Sequence, residues 1–365
     1  MSSSHHLKTV AVGMSGGVDS ALTAYLLKKK GHEVVGLTMK IWDNSVAISN
    51  TSKSGCYGPG EDKDIIAAQE TAKKIGIRYH VIDLHQEYKQ SVVRYYHDEY
   101  LAGRTPNPCI VCNQKMKFGL LLEKAYQSGI YFDAFATGHY ASTGFDTTAN
   151  RYFLKRSLDP HKDQTYFLYR LEQSQLQKVI FPLGDYHKTE IKKLAAEIGF
   201  KELADKPESQ DFFEGDDNAV FFKPDQIKPG DVVDTSGRVV ARHKGIIYYT
   251  IGQRKGLDIG GLKEPLYVVG IDACKNRVIV GPKIELLANR LVAGDVHWIF
   301  GDALKSSIKA QAKIRLHHPQ ASCEITPLDS QKVEVIFEEP QMSITPGQSV
   351  VFYDGDIVLG GGIIE

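Results

Sequence analysis

Along residues 9–138, apolar positions alternate between short continuous runs and spacings of three or four residues. Residues 9–14 form such a run, and residues 22–27 then place their leucines at helical spacing before Gly31. Continuous runs rich in β-branched residues predict strands buried on both faces, whereas the helical spacing predicts amphipathic helices. The alternation therefore predicts an α/β domain with a doubly wound parallel sheet.

The remaining elements of this domain follow from the same two patterns. Gly31 and Gly76 are placed to end helices, because glycine readily adopts the left-handed backbone of a helix C-terminus. Apolar runs predict strands at 34–39, 79–84 and 133–138, and helical spacing predicts helices at 65–75, 85–101 and 116–128.

The pattern changes after Gly215, where short β-like runs are separated by turn dipeptides. Pro-Gly at 229–230, Ser-Gly at 236–237 and Asp-Gly at 354–355 mark tight turns. Such spacing is typical of small β-rich domains and barrels. We predict three domains: the α/β domain at 1–206, a small central β-rich domain at 207–282 and a C-terminal β-barrel at 283–365.

Composition and charge narrow the class of protein. The 365 residues are 42% hydrophobic, which is enough to bury a core and excludes a disordered or fibrous chain. Basic and acidic residues are equal in number, 44 each, so bulk charge does not hold the chain to a polyanion. No apolar run approaches the ~18 residues of a membrane span. We therefore expect a cytoplasmic protein that does not associate with a membrane. The five cysteines then indicate redox chemistry or metal ligands rather than disulfides.

A glycine-rich loop at 13–20 joins the first predicted strand to the first predicted helix. Gly16 and Gly17 let backbone amides approach an anion, and the helix N-terminus adds N–H donors and partial positive charge. The loop lacks the Lys-Ser/Thr ending of a Walker loop and the spacing of a dinucleotide site. Two adjacent glycines are also typical of an ordinary turn, so the prediction of a phosphate site depends on the position of the loop.

The loop sequence Ser-Gly-Gly-Val-Asp-Ser at 15–20 resembles the PP-loop of ATP pyrophosphatases. Further motifs resemble the tRNA-specific 2-thiouridylase family and follow the family's order. They are Thr-Pro-Asn-Pro-Cys-Ile-Val-Cys-Asn at 105–113, then Lys-Phe at 117–118, Ala-Thr-Gly-His-Tyr at 136–140, Lys-Asp-Gln-Thr-Tyr-Phe at 162–167, Phe-Pro-Leu-Gly at 181–184, Pro-Glu-Ser-Gln-Asp at 207–211 and Tyr-Thr-Ile-Gly-Gln-Arg-Lys-Gly-Leu at 249–257. By this resemblance the chain is identified as a member of that family.

The resemblance implies the chemistry. Members adenylate O2 of the wobble uridine with ATP, release pyrophosphate and replace AMP by sulfur, which gives 2-thiouridine. It also implies a PP-loop ATP-binding domain, a small central domain and a β-barrel that contacts tRNA. The implied ligands are ATP and Mg²⁺, with ATP held by Gly13, Met14, Ser15, Gly16, Gly17, Val18, Asp19, Ser20, Met39 and Gly138. Met39 taken alone is more simply a core methionine.

The resemblance assigns two further groups of residues to the tRNA. The target base is expected at Asn107, Pro108 and Cys109, where the asparagine offers a uracil edge both a donor and an acceptor. An Asn-Pro turn would explain the same pair. The expected tRNA contacts are His139, Lys162, Asp163, Gln164, Arg315, Leu316 and Gln348. The expected partners are tRNA and a sulfur donor, either a protein or sulfide, and we expect the chain to be a monomer.

The cysteines depart from the family pattern. Members carry a second catalytic cysteine shortly after the Glu-Ser-Gln segment, and Phe213 stands there in this chain. The predicted catalytic residues are Cys112 and Cys109, with Asp19 of the loop. Cys56 follows the second predicted strand, at the edge where such sheets place their sites. We therefore expect the three thiols to face one another.

Two sulfur routes are open with these residues. Three thiolates around an open position suit a [4Fe-4S] cluster on Cys56, Cys109 and Cys112 that hands over a sulfide. The other route is a persulfide relay within the Cys109/Cys112 pair. Zinc ranks lower because structural zinc normally has four protein ligands.

Two other functions stay open. A tRNA-binding relative without catalysis is motivated by Phe213, although the loop and Cys112 are intact. The second alternative function is another PP-loop ligase, which forms AMP and uses ammonia. The Cys-x-x-Cys pair and the barrel count against it.

Overall fold

The computed structural model describes residues 8–48, 55–206, 211–257, 259 and 264–365, so residues 207–210 of the Pro-Glu-Ser-Gln motif lie outside it. The described chain divides into two compact units. One takes in the chain up to Lys89, Cys109–Asp216 and Asp356–Val358, and the other consists of Gln90–Pro108, Asp217–Gly355 and Leu359–Glu365. The predicted boundaries of three domains stay predictions.

The first unit is built on a five-stranded parallel sheet with the order β4-β2-β1-β5-β8. Its central strand, β1, is buried between β2 and β5, as its continuous apolar sequence predicts. The strands of this unit are β1 (Thr9–Gly13), β2 (Glu33–Lys40), β3 (Gly55–Tyr57), β4 (Arg78–Asp83), β5 (Ala134–Thr137), β6 (Ala141–Asp146), β7 (Arg151–Arg156), β8 (Val179–Ile180) and β9 (Asp211–Phe213). The predicted doubly wound parallel sheet is confirmed.

The helices of the described residues are, in chain order, α1 (Val18–Lys29), α2 (Glu61–Ile75), α3 (His85–Tyr88), α4 (Arg94–Leu101), α5 (Pro108–Val111), α6 (Leu121–Gln127), α7 (Gln173–Leu176), α8 (Lys188–Glu197) and α9 (Lys201–Asp205). A π-helical segment, Cys112–Leu120, joins α5 to α6. The helix predicted from residue 116 therefore begins at Pro108, because proline at the first position already has a helical φ. Among the described residues, no helix is long and apolar enough to cross a membrane.

The second unit contains two β structures. Its central sheet has the order β11-β10-β13-β12, and its barrel has the order β14-β17-β16-β15-β18-β19. Pairing of β14 with β19 closes the barrel, which removes its sheet edges. The strands are β10 (Gly230–Asp234), β11 (Val239–His243), β12 (Tyr267–Asp272), β13 (Arg277–Gly281), β14 (Leu287–Trp298), β15 (Ile308–Lys313), β16 (Ala321–Pro327), β17 (Val333–Met342), β18 (Ser349–Asp354) and β19 (Ile357–Ile364). The predicted β-rich central domain and C-terminal barrel are confirmed.

The barrel core follows from alternation along its strands. Val333, Val335 and Phe337 of β17 are buried, and the residues between them face outward. They pack with Phe352 of β18 and Ile325 of β16 in one cluster. The period of two in this part of the sequence is thus the signal for the barrel.

Candidate active site

The glycine-rich loop leaves β1 and enters α1. Gly16 has a φ of +71°, and a Cβ atom there would lie 2.5 Å from the backbone oxygen of Asp64. Only glycine fits this left-handed, crowded position. The Ser15 amide donates to the Ser20 hydroxyl over 3.2 Å, and that hydroxyl donates to the Gly17 carbonyl over 3.0 Å. The loop is therefore held in a compact turn by its own serines.

The turn leaves the N-terminus of α1 open to an anion. The N-cap residue is Gly17, which has no side chain to accept hydrogen bonds from the first-turn amides. The first amides of a helix lack partners within the helix and carry a partial positive charge. This end of α1 can therefore bind phosphate oxygens, as the position of the loop predicts.

Asp19 in the first turn of α1 carries the ion pair of the site. Its two carboxylate oxygens lie 2.8 and 2.7 Å from Nζ of Lys188, and the Tyr140 hydroxyl donates to it over 3.0 Å. Lys188 begins α8 and is only 6% exposed, so its charge is enclosed beside the loop. A cation that pairs with a loop carboxylate can also meet phosphate oxygens.

Sequence reasoning missed Lys188 and gave Tyr140 no role. The signal for Lys188 was a lysine at a helix start, shortly after the Phe-Pro-Leu-Gly motif at 181–184. Tyr140 ends the Ala-Thr-Gly-His-Tyr motif at 136–140. Its backbone amide donates to the Gln164 side chain over 3.0 Å, and the Gln164 amide donates back to its carbonyl over 2.9 Å. Gln164 therefore supports the tyrosine that contacts Asp19.

The other predicted ATP residues lie at the carboxyl ends of the strands beside β1. Met39 is half-buried near the end of β2, and Gly138 follows β5. A Cβ atom at Gly138 would lie 2.8 Å from the carbonyl carbon of Asp19 and 2.9 Å from the Ser20 amide. Gly138 thus packs against the loop where a side chain would not fit.

Cys56, Cys109 and Cys112 lie close enough together that Cys56 raises the pKa of the other two. Cys56 lies on β3 and is exposed, whereas the other two lie at the start of the helix that begins with α5 and are half-buried. Burial, together with the nearby Cys56 and Cys112, raises the pKa of Cys109 to about 12. Burial likewise raises the pKa of Cys112 to about 11. These two side chains are therefore neutral thiols near pH 7, unless a ligand or cation stabilises the thiolate.

Tyr88 and Lys117 lie near the thiols of Cys109 and Cys112 and affect their pKa values. Tyr88 is fully buried, stacks on Tyr57 with 5.6 Å between ring centroids, and makes a hydrogen bond to Cys112 that lowers the pKa of this cysteine. Lys117 also lowers the pKa of Cys109 and Cys112 by its charge. Both residues favour the thiolate, and sequence reasoning did not assign them to the thiols.

Phe213, at the position of the missing cysteine, lies on the strand that pairs with the strand of Cys56. Strand β9 pairs with β3 in parallel, so Gly55 lies opposite Asp211 and Tyr57 opposite Phe213. The Phe213 ring is 7% exposed and packs as an apolar side chain. In the part of the chain that the structure describes, no three His, Cys, Asp or Glu side chains are arranged to hold a metal ion.

His139 lies in an apolar part of the first unit. Its Nδ1 lies 2.7 Å from the Thr137 hydroxyl, and its ring is 5.9 Å from the Phe118 ring and 6.1 Å from the Phe181 ring. Burial holds the pKa of His139 well below its usual value, and Lys117 lowers it further. The imidazole is therefore neutral and suited to hydrogen bonding rather than to ionic contact with phosphate.

The Lys162-Asp163-Gln164 motif has mainly internal partners. The Asp163 carboxylate is enclosed, accepts from the Thr165 hydroxyl at 2.9 Å, and lies 3.5 Å from the Arg156 guanidinium. Lys162 is half-buried next to it. Asp163 thus shapes the turn that presents the neighbouring lysine.

The base and barrel residues lie in the second unit, apart from Cys109. Asn107 is buried, and its backbone amide donates to the Tyr95 hydroxyl over 3.2 Å. The Gln348 side chain donates to the carbonyls of Thr105 and Pro106, both over 3.1 Å. Arg315 is exposed and its guanidinium lies 3.4 Å from the Met342 carbonyl, with Leu316 next to it. The structure therefore joins Gln348 to the segment before Asn107.

Fold and loop together define the class of protein: an α/β nucleotide-binding domain of the HUP kind, followed by two β-rich modules. Residues 8–213 match the tRNA methyl transferase HUP domain family, residues 223–282 its PRC-barrel domain and residues 288–364 the aminomethyltransferase beta-barrel domain. The chain belongs to the tRNA-specific 2-thiouridylase family.

Curated relatives match over almost their whole length. A tRNA-specific 2-thiouridylase MnmA of Endomicrobium trichonymphae is 48% identical over 97% of this chain and 98% of its own. The MnmA 1 of Thermoanaerobacter sp. (strain X514) is 47% identical over 98% and 97%. The MnmA of Acetivibrio thermocellus is 45% identical over 98% and 99%. A solved 4-thiouridine synthetase–RNA complex with bound ATP covers 55% of this chain and 43% of its own at 19% identity, and its TM-score of 0.36 is too low to support an argument.

Proposed function

We propose that this chain is a tRNA 2-thiouridylase that adenylates O2 of the wobble uridine and then places sulfur on C2. One observation carries the proposal: the first unit holds both an open phosphate loop with its Asp19–Lys188 pair and a cluster of three cysteines. Activation of an oxygen and delivery of sulfur are the two tasks that thiolation combines. The names of the relatives support the same reaction. We further propose that the reaction takes place in the cytoplasm and that the chain acts as a monomer.

ATP binds with its phosphates at the N-terminus of α1. The uridine O2 attacks the α-phosphorus, the bond from this phosphorus to the bridging oxygen breaks, and pyrophosphate leaves as N3 loses its proton. Loop amides and Lys188 stabilise the charge that develops on the leaving pyrophosphate. Asp19 and Ser15 are the oxygen donors that would hold Mg²⁺ beside the phosphates, where the ion would supply further positive charge.

We assign tRNA binding to two sets of residues, one for the target base and one for the tRNA backbone. Asn107, Pro108 and Cys109 receive the flipped uracil, whose edge requires one donor and one acceptor. We assign contacts with the tRNA backbone to the residues that the family resemblance implies, which are His139, Lys162, Asp163, Gln164, Arg315, Leu316 and Gln348. Of the barrel members, exposed Arg315 is the cation best placed to bind phosphate.

Sulfur attacks C2, the bond from C2 to the adenylated oxygen breaks, and AMP leaves. Cys112 is the sulfur-bearing thiol, because Tyr88 and Lys117 favour its thiolate. In a relay, the outer sulfur of a persulfide on a sulfur-donor protein passes to Cys112, and the donor's thiol leaves. This outer sulfur attacks C2 as AMP leaves, and Cys109 then attacks Sγ of Cys112, which breaks the S–S bond and leaves the sulfur on C2. That step leaves a disulfide, which an external thiol must reduce.

The alternative carrier is a [4Fe-4S] cluster on Cys56, Cys109 and Cys112. The donor set has the required thiols, and Lys117 offsets part of their charge. The described side chains do not converge as a metal-holding group, so no step is derived through the cluster. The cluster stays one of the two proposed sulfur routes, because Phe213 stands where members of the family carry the relay cysteine.

Thiolation by purified protein tests the proposal. Protein prepared without oxygen is supplied with ATP, Mg²⁺ and unmodified tRNA. Parallel reactions receive either sulfide or a sulfur-donor protein that carries a persulfide, and the nucleosides are analysed by mass spectrometry. We expect 2-thiouridine together with AMP and pyrophosphate. Asp19→Ala and Ser15→Ala should abolish all three products, whereas Asp62→Ala, an exposed residue of α2, should not. Orthophosphate as the product, or full activity in Asp19→Ala, contradicts the proposal.

The same assay distinguishes the two other functions. A tRNA-binding relative without catalysis would bind tRNA and form neither AMP nor 2-thiouridine. A ligase that uses ammonia would form AMP with ammonia and leave the tRNA nucleosides unchanged.

A further inference from the structure

Lys117 lies in the π-helical segment Cys112–Leu120, which another part of the first unit supports. The Gln175 side chain donates to the Phe118 carbonyl over 2.8 Å and to the Gln114 carbonyl over 3.4 Å. Segments of π-helix are rare in proteins and occur frequently at functional sites. The fold therefore maintains an unusual backbone directly after the second cysteine of the Cys-x-x-Cys pair.

This backbone brings Lys117 to the thiols. The hydrogen bonds of a π-helix join residues five apart, so Cys112 and Lys117 lie on the same side of the segment. In a regular α-helix, the residues that share a side are three or four apart. Burial raises the pKa of Cys56, Cys109 and Cys112, and the charge of Lys117 acts against this rise in all three. The ammonium group is therefore close to each thiol.

Lys117 also lies close to the residues beside the phosphate loop. After burial, its charge is the second cause of the low pKa of His139. The ring of Phe118, the next residue, is 5.9 Å from the His139 ring. Gly138, which precedes the histidine, packs against Asp19 of the loop. Lys117 thus neighbours both the sulfur side and the phosphate side of the site.

The ammonium of Lys117 has no acidic partner within the described part of the chain. Its side chain is half-buried, and no hydrogen bond or ion pair joins it to a described carboxylate. Lys188, another enclosed lysine of the site, is paired with Asp19. A partly enclosed cation gains most from a charged partner, and neutral thiols do not supply one. An anionic group of a ligand would complete the environment of Lys117.

We propose that Lys117 is a catalytic residue that binds the phosphate of AMP and stabilises it as AMP leaves C2. The inference rests on the proposed function, in which sulfur displaces AMP from the adenylated base. When the bond from C2 to oxygen breaks, its electron pair stays on that oxygen, so the phosphate of AMP gains one negative charge. The ammonium neutralises this charge without a proton transfer. The role is the same for either sulfur route.

Binding of AMP tests the inference without tRNA or sulfur. Affinities of the full chain for AMP and for adenosine are measured by calorimetry, because their ratio isolates the contact with the phosphate. We expect Lys117→Met to reduce the preference for AMP by about tenfold to a hundredfold, as for the loss of a hydrogen bond between charged groups. Lys117→Arg should retain most of the preference. Lys115→Met is the matched control, because Lys115 is an exposed lysine of the same segment.

Single-turnover kinetics with ATP, tRNA and a sulfur source separate the two leaving groups. In Lys117→Met, pyrophosphate release should stay within about threefold of wild type, whereas AMP release and 2-thiouridine formation should fall by about tenfold to a hundredfold. Adenylated tRNA should therefore accumulate, and mass spectrometry of the tRNA measures it. Pyrophosphate release that slows as much as AMP release overturns the inference.

The binding data also separate this role from an effect on the cysteines alone. Slower thiolation in Lys117→Met with an unchanged preference for AMP over adenosine overturns the inference, since Lys117 would then act only on the thiols. Wild-type protein that binds ATP and shows no preference for AMP over adenosine overturns it as well. Protein that binds neither ATP nor AMP contradicts the proposed function itself, and with it the inference.

Discussion

Asp19 links the phosphate loop to two residues that lie far from it in sequence. Its carboxylate binds Lys188 and Tyr140, and Gln164 holds Tyr140 through two hydrogen bonds. The enclosed ammonium of Lys188 is paired with a carboxylate, which offsets the cost of its burial. ATP can compete for this cation, so the pair places a positive charge at the loop before the nucleotide arrives.

Lys188→Ala should therefore impair adenylation rather than tRNA binding. Removal of one placed charge at the phosphates should lower the rate of AMP formation by about a hundredfold, while tRNA affinity stays unchanged. The measurement is single-turnover AMP and pyrophosphate release at saturating tRNA.

Lys192→Ala provides the control, because Lys192 is an exposed lysine on the same helix, α8. It should retain the wild-type rate. An active Lys188→Ala variant would mean that Lys188 only neutralises Asp19.

At the scale of elements, Glu61 joins the end of β2 to the start of α2. Its carboxylate accepts from the Ile41 amide over 2.7 Å and the Trp42 amide over 3.0 Å. Burial raises the pKa of Glu61 to about 7, and the two amide hydrogen bonds offset only part of this effect. The stability of the connection between β2 and α2 should therefore depend on pH near neutrality.

The sign of this sensitivity follows from linkage. A carboxyl whose pKa is higher in the folded state binds a proton more tightly there, so its contribution to stability falls as pH rises from 4.5 to about 7. The difference in unfolding free energy between wild type and Glu61→Gln, measured by urea denaturation, should decrease by up to about 3 kcal/mol across this range. A difference that grew with pH would mean that the carboxylate is stabilised in the fold.

Cys56, on strand β3, is the residue that distinguishes the two sulfur routes, because only the iron–sulfur cluster would use it as a ligand. A cluster with three protein ligands should lose its iron and its thiolation activity in Cys56→Ala, whereas a relay within the Cys109/Cys112 pair should be little affected. Iron and acid-labile sulfide are measured on protein purified without oxygen.

Cys274→Ala is the matched variant, because Cys274 is an exposed cysteine in the second unit. It should keep both iron and activity. Iron-free wild-type protein with full activity would exclude the cluster and leave the thiol pair.

At the scale of the whole molecule, different residues are proposed to bind the tRNA backbone and to position the base for the reaction. Arg315 on the barrel is exposed, whereas Asn107 is buried with its amide on Tyr95. Arg315→Ala should weaken tRNA binding and reduce the slope of log affinity against log salt by about 1. Asn107→Ala should instead slow thiolation with little change in affinity, and both are measured by tRNA titration at several salt concentrations.

Arg290→Ala is the control on the same barrel, since Arg290 pairs with Glu334. It should leave the salt slope unchanged. Loss of binding in Asn107→Ala with turnover retained would reverse the two assignments.

The fold was predictable from the sequence because it depends on local periodicity. Continuous apolar runs around β1 and β2, and the period of two along β17, encode which faces are buried without reference to any partner. The phosphate loop was predictable for the same reason, since its glycines act on the backbone where they stand. The early start of the helix at Pro108 was missed because residues 108–115 lack an amphipathic pattern.

Tertiary structure alone decided which polar groups meet. Lys188 lies 169 residues from Asp19, and Gln348 lies 243 residues from Thr105. The sequence determined that the chain has a phosphate loop, three cysteines in the first part and a phenylalanine in place of a fourth. That Tyr88 and Lys117 lie near those thiols, and that the strand of Phe213 pairs with the strand of Cys56, depends on how strands and helices pack. Side-chain spacing records the burial of each residue, whereas the partner of a buried charge or amide is set only when distant segments close on one another.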